Sequence, residues 1–394
     1  MKKPLLLAVL VLFVASALIS VAGGALGAAF GLGFLGSPIP EISVPGEKIA
    51  DIGGYEVINS SILFWAAILI IITISFLGTR NMKMVPTGFQ NFMELLVEGF
   101  IGLTESVGGP AARRFLPLVM TIFLVILLSN WLGILPGVGT IGRIESAEEL
   151  VSHELHDLEV EIRESQPGLN DEEVEERALT EALAAVGKKK LTVFDDTAGI
   201  NLIPFGRGED TKAPLINVIG DAQGVHDIEE RLEASTLVTA PLDNDGKEQP
   251  ELKGKNAGIL IPYLRGPNTD LNTTLAIALV AMFTIQFWGI RALGIRGYGG
   301  KFINLKNGPI HFAVGLLEIV SEVSRIISFT FRLFGNMFAG EVLLVVMAFL
   351  FPVIGIIPFL GLELFVGAIQ AFIFAMLVLV FAVVATLPHG EEEH

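Results

Sequence analysis

Long apolar runs set the pattern of this chain, and each is interrupted in a different way. Ser61 to Gly78, Phe115 to Leu135 and Leu271 to Ile290 are nearly uninterrupted. At 1.5 Å per residue, runs of this length come close to crossing a ~30 Å hydrocarbon layer as helices. Pro309 to Leu350 is different: as a straight helix it reaches about 60 Å, twice that thickness, so steep tilt or a break is required. Phe351-Pro352 ends that run, and Pro358 opens another that continues from Phe359 to Leu387. Pro4 to Ala22 follows the basic start Met1-Lys2-Lys3 and ends in small residues, which suits a cleaved signal peptide or a retained first helix. The pattern predicts an all-α polytopic membrane protein of five to six membrane helices, the two C-terminal ones long and strongly tilted.

Polar positions set the remaining elements. Thr87 to Val107 mixes Glu94, Glu98 and Glu105 with Phe89, Phe92, Leu95, Leu96, Phe100 and Leu103, the pattern of an amphipathic helix at the membrane surface. Lys2 and Lys3, Arg80 and Lys83, and Arg291, Arg296, Lys301 and Lys306 flank successive runs. By the bias of cations toward the cytoplasm they fix the orientation, with residues 37–60 outside and the C-terminus inside. Gly31, Gly33, Gly36, Pro38, Pro40 and Pro45 make the segment after the first run an extended arm.

Composition changes this picture at one place. The chain has 394 residues, 52% of them hydrophobic, and a net charge of −16. Between Ile141 and Asp270 there are 28 acidic and 13 basic residues, a balance of −15, which leaves the rest near neutral at −1. The acidity therefore belongs to one soluble insert and carries no message about nucleic acid or anionic lipid. The expected organisation is 1–36 signal peptide or first helix, 37–60 arm, 61–140 membrane helices with the surface helix, 141–266 extracytoplasmic insert, and 267–394 channel helices and tail. Within the insert, Ser146 to Ala185 reads as helical with a capping box at Ser146 to Glu149. Leu191 to Phe194 and Leu215 to Ile219 read as short strands of a small α+β or irregular domain. His153, Glu154, His156 and Asp157 lack metal-protease spacing and read as a solvated helix face. The absence of cysteine removes disulfides and thiolate metal sites, and no cofactor motif is present.

The candidate chemistry lies in the overlong run. An arginine at membrane depth costs roughly 3 kcal/mol on insertion scales, so Arg332 is a functional candidate by default. At 100° per residue, Glu318, Glu322, Arg325, Arg332 and Asn336 fall within about 40° of one direction, an ionisable stripe from which Glu341 departs. No acid stands three or four residues from Arg332, so its partner must come from elsewhere. In the last run, Glu363 and Gln370 share a face. Antiparallel pairing about Pro352 and Pro358 sets Gln370 near Arg332 and Glu363 near Glu341. Asn130 is an uncharged polar group at membrane depth, suited to bonding a neighbouring helix backbone or to lining a channel. Gly335, Ala339 and Gly340 permit close approach, within the chain or to partner helices.

Arg332-Leu-Phe-Gly-Asn-Met-Phe-Ala-Gly-Glu341 resembles the signature of subunit a of the F-type ATP synthases. Ser129 to Pro136, Asp270 to Thr274 and Ile369 to Phe374 resemble the family's other blocks, in the same order. The resemblance covers about residues 55–140 and 262–390. It implies a proton-translocating stator that is not itself catalytic and works with a ring of c subunits, the b subunits of the peripheral stalk and the rest of the F1F0 complex. The implied setting is the bacterial inner membrane. It further implies that Arg332 is the essential channel arginine, that Gln370 orients its guanidinium and that Asn336 supports packing and water rather than titrating. Two offset half-channels follow, an outer one through Asn130, Glu341 and Glu363 and an inner one through Glu318, Glu322 and Ser328. Gly133 stands where some relatives carry an acid. The rival reading is an ion-coupled secondary transporter, whose internal repeats are not found.

Overall fold

A computed structural model describes residues 3–23, 30, 46–53, 55–135, 138–139, 141–186, 190–194, 212–214, 256–302, 309–351 and 355–387. Most of the arm, Leu215 to Ile219, Lys306, Pro352 and the tail from Pro388 lie outside the described residues. The chain forms two units, one of residues 43–138, 264–343 and 359–394, the other of 1–42, 139–263 and 344–358. Residues 264–343 thus group with the first of these units, including Arg265, which the sequence assigns to the insert.

The elements run α1 (Lys3–Gly23), β1 (Lys48–Ile52), β2 (Tyr55–Ile58), α2 (Asn59–Thr79), α3 (Phe89–Gly108), a 3-10 turn (Pro110–Phe115) and α4 (Leu116–Gly133). They continue with β3 (Gly142–Ser146), α5 (Ala147–Ser165), α6 (Asp171–Val186), β4 (Lys190–Phe194), β5 (Lys212–Pro214) and β6 (Asn256–Pro262). A second 3-10 turn (Pro267–Thr269) precedes α7 (Leu271–Phe302), α8 (Pro309–Leu350) and α9 (Ile356–Ala385). Five helices among the described residues are long and apolar enough to cross a membrane, as the hydropathy predicts: α2, α4 with its preceding turn, the first 25 residues of α7, α8 and α9. The helix of residues 89–108 is not among them, and its Phe89, Phe92 and Leu95 are exposed while Phe100 is buried.

Helix ends have local causes. Asp270 caps α7, accepting from the Asn272 N–H at 3.1 Å, and its other oxygen accepts from the Ser60 hydroxyl at 3.1 Å. Gly109, at φ 67°, ends α3, a conformation that glycine adopts without a Cβ penalty. Gly294, at φ 74° and ψ 160°, bends α7 at the end of its apolar portion. By contrast α8 is one helix of 42 residues, so a break does not shorten it, and tilt is what fitting its length into a ~30 Å layer would require.

The membrane unit is built around Phe115, Ile126, Ile285, Leu333, Phe374 and Leu379, all fully buried, with Phe329 and Phe374 rings 4.6 Å apart. Buried alanines 278, 281, 371, 375 and 382 let α7 and α9 approach their neighbours closely.

In the other unit, β3, β6, β4 and β5 form an antiparallel sheet in that order. The charge-rich stretch is two helices rather than one, α5 and α6, packed through Ile162, Val174 and Ala178. A reciprocal capping box starts the second: the Glu173 N–H donates to Asn170 Oδ1 at 2.8 Å, and the Asn170 N–H donates to Glu173 Oε2 at 3.2 Å. His153 does not merely face solvent, because its Nδ1 lies 2.7 Å from Glu145 Oε1.

Candidate functional site: a cation on the exposed face of α8

Two rows of side chains run along the middle of α8. Phe329, Leu333 and Met337 recur every four residues and are buried in the core. Ser328, Arg332 and Asn336 recur with the same period and are exposed, beside the exposed apolar Ile327 and Phe331. Among the described residues no carboxylate lies within ion-pair distance of Arg332. Arg325, on the same predicted stripe, behaves differently. It pairs with Glu322 and sits with its guanidinium 4.6 Å from the centre of the Phe381 ring. Charge neutralisation within the helix therefore accounts for Arg325 and, among the described residues, not for Arg332.

Across from this row, α9 presents Gln370, only 3% exposed. Its Oε1 accepts from Asn336 Nδ2 at 2.9 Å, so the side chain facing Gln370 is Asn336, one turn from Arg332. Gln370 Nε2 is buried without a hydrogen-bond partner among the described residues. Further along, the Glu363 carboxyl occupies the space beside Gly340, where any Cβ would collide with it. Glu363 is 6% exposed and has no hydrogen bond or ion pair among the described residues. The antiparallel register expected from sequence thus recurs, displaced by one turn at Gln370 and by one residue at Glu363.

Glu341 faces a residue that the sequence analysis did not single out. Arg265, itself 5% exposed, brings its Nε to 3.6 Å from Glu341 Oε2. Its signal was position, directly before the Asp270 block at the start of a span.

Asn130 is buried and does both things a buried amide can. Its Nδ2 donates to the Gly367 carbonyl at 3.0 Å, and its Oδ1 accepts from Asn268 Nδ2 at 2.6 Å. Trp131 Nε1 adds a bond to the Leu364 carbonyl at 3.1 Å. Gly367 permits this approach, since a Cβ there would lie 3.1 Å from Asn130 Cβ. Ser129 Oγ and Asn268 Oδ1 are buried without partners, which makes the region a polar seam with spare hydrogen-bonding capacity.

Toward the start of α8, Glu322 accepts from Gln286 Nε2 at 2.8 Å, and Gln286 Oε1 accepts from the Tyr298 hydroxyl. Gln286, Glu322, Met282 and Phe302 line a cleft of about 210 Å³. Burial first, then the carboxylates of Glu322 and Glu318, push the Tyr298 hydroxyl up to about 12, while Arg325 pulls it down. It therefore remains a donor at neutral pH. Glu318 is half-buried one turn from Glu322, and Ser328 is exposed on the other row.

The sequence matches the family described as "ATP synthase A chain" over residues 61–149 and 254–382. The chain belongs to that family. It is 22% identical over 343 residues to the ATP synthase subunit a of Moorella thermoacetica, covering 87% of this chain and 96% of the relative. With the subunit a of Gloeobacter violaceus it shares 23% over 320 residues, 81% and 80% of the two chains. With that of Campylobacter jejuni it shares 38% over 138 residues, 34% and 58%. The A-chain match passes over residues 150–253, so most of α5 and all of α6, β4 and β5 lie outside it, while nearly all of α2, all of α4, α7 and α8, and most of α9 lie within it.

Proposed function

We propose that this membrane protein is the proton-translocating stator subunit a of an F-type ATP synthase, in which Arg332 separates two offset half-channels that open onto a rotating ring of c subunits. The observation that carries this reading is Arg332 itself. Held on a largely apolar helix with no carboxylate in reach among the described residues, it calls for an anionic partner supplied by another subunit. A carboxylate on each ring subunit meets that requirement.

The mechanism is electrostatic. A proton from outside passes the seam of Asn130, Glu341 and Glu363, where Ser129, Asn268 and Gln370 offer bonds that water would complete. It neutralises a ring carboxylate, which in that form can face lipid at modest cost. After nearly a full turn the carboxyl reaches the inner side near Glu318, Glu322 and Ser328 and releases its proton. The carboxylate so formed is drawn to Arg332. Because a guanidinium stays protonated, it admits only the ionised site and bars a direct leak between the two paths. Gln370 acts through Asn336 and not by direct contact with the guanidinium.

The chain performs no bond chemistry itself and works with the c ring, the b subunits, the rest of the F1F0 complex and the lipid bilayer, without cofactor or metal. In a bacterial inner membrane the insert of residues 141–263 stands outside and the tail inside. The secondary-transporter alternative is not favoured, given the family match across both halves of the channel. The deciding test is Arg332→Ala in inverted membrane vesicles. ATP-driven proton pumping is expected to vanish while the complex assembles, and pumping with intact coupling would sink the assignment.

A further inference from the structure

We propose that Arg265 is a positioning residue of the outer path: it sequesters Glu341 in a neutral pair and leaves proton carriage on that side to Glu363. This inference rests on the stator reading and divides labour between two acids that the reading treats together.

Three observations carry it. The first is the pair itself, Arg265 Nε to Glu341 Oε2 at 3.6 Å, with the arginine 5% exposed. A buried guanidinium needs a counter-charge, and its position is fixed by the chain around it. Pro267–Thr269 forms a 3-10 turn directly after it, and Asp270 then caps α7. The second is that Glu363, buried against Gly340, has no such counter-charge among the described residues. The third is an echo on the inner side, where Glu322 is paired with Arg325 and bonded by Gln286.

The charged groups on the elements around Glu363 are few. Helix α8 brings Glu341 and, two turns away, Arg332. The start of α7 brings Arg265 and Asp270, and α4 brings only the neutral Asn130. Removing Arg265 alone would leave the Glu341 charge uncompensated one residue from the glycine that cradles Glu363. An added negative charge there binds the transiting proton more tightly and retards its passage to the ring. Removing both members of the pair restores neutrality.

The test uses the whole ATP synthase complex reconstituted in liposomes, with synthesis driven by a potassium-diffusion potential and the pH on the outer face varied. Arg265→Gln is expected to lower the rate at least tenfold and to move the half-maximal outer pH upward. Arg265→Gln with Glu341→Gln is expected to run about tenfold faster than the single variant. Should the single variant fail to assemble, Arg265→Lys, which keeps the counter-charge, is expected to assemble with a pH profile near that of the wild type. A wild-type rate and profile for Arg265→Gln, a displaced profile for assembled Arg265→Lys, or a double variant no faster than the single one overturns the proposal. So does synthesis persisting in Glu363→Gln. The stator reading fails separately, only if Arg332→Ala still pumps with normal coupling.

Discussion

Asn336 donates to Gln370 across the α8–α9 seam at 2.9 Å, and this bond joins a side chain exposed on the chain's surface to one buried in its core. Losing Asn336 leaves a buried carbonyl oxygen unpaired, whereas losing Gln370 frees an amide that solvent or a partner can reach. An unsatisfied buried acceptor costs about 1–3 kcal/mol, and the bond itself contributes about 1 kcal/mol net. A double-mutant cycle of Asn336→Ala and Gln370→Ala, read by the thermal stability of the purified complex, should give a coupling of about 1 kcal/mol. Proton pumping should fall more for Gln370→Ala than assembly does.

Gly340 and Gly335 look alike in the sequence and differ in the structure. A Cβ at 340 would overlap the Glu363 carboxyl, whereas at 335 nothing lies within 4 Å. Gly340→Ala should force Glu363 out of place and cut ATP-driven pumping about tenfold or more, while Gly335→Ala should leave the subunit's membrane insertion and stability unchanged. Quinacrine quenching in inverted vesicles, with immunoblotted subunit levels, separates the two.

Tyr298 offers a pH readout. Its folded-state value of about 12 lies above the ordinary 10, so the folded protein holds that proton more tightly than the unfolded one. The associated stability is complete below pH 10 and is lost as pH rises from 10 toward 12. Absorbance at 295 nm should show one of the chain's three tyrosines ionising about two pH values late, and Tyr298→Phe should remove that late phase.

Asn170 caps α6 reciprocally with Glu173, and its loss should cost about 1 kcal/mol, confined to the helical pair. Hydrogen exchange of Asn170→Ala should quicken in α5 and α6 and stay unchanged in α7 to α9.

The sequence carried the long elements because each apolar run is bounded by its own charges or prolines. It also carried the antiparallel sense of α8 and α9, since the helical period fixes which side chains share a face. The exact level of Gln370 escaped it, because the turn between the two helices sets a register that spacing alone cannot. Arg265 escaped for a different reason. It stands in a segment whose charge and glycine content read as loop, and only the fold brings it to Glu341, far along the chain. Gln286 was hidden inside an apolar run, where one amide hardly alters the hydropathy. The β3–β6 pairing, Gly142 with Pro262 through Ser146 with Gly258, joins strands too distant in sequence for any local pattern to announce.

The continuity of α8 has a geometric outcome. Its apolar portion, Ala313–Leu350, is 38 residues, or about 57 Å, and fits a ~30 Å layer only when inclined near 58° from the normal. Each residue then changes depth by only about 0.8 Å. Glu318 and Glu341, on opposite flanks of Arg332, differ in depth by roughly 18 Å, less than the hydrocarbon thickness. Neither acid can reach both its own aqueous phase and the guanidinium, so on each side the last stretch to bulk water has to be carved from the protein.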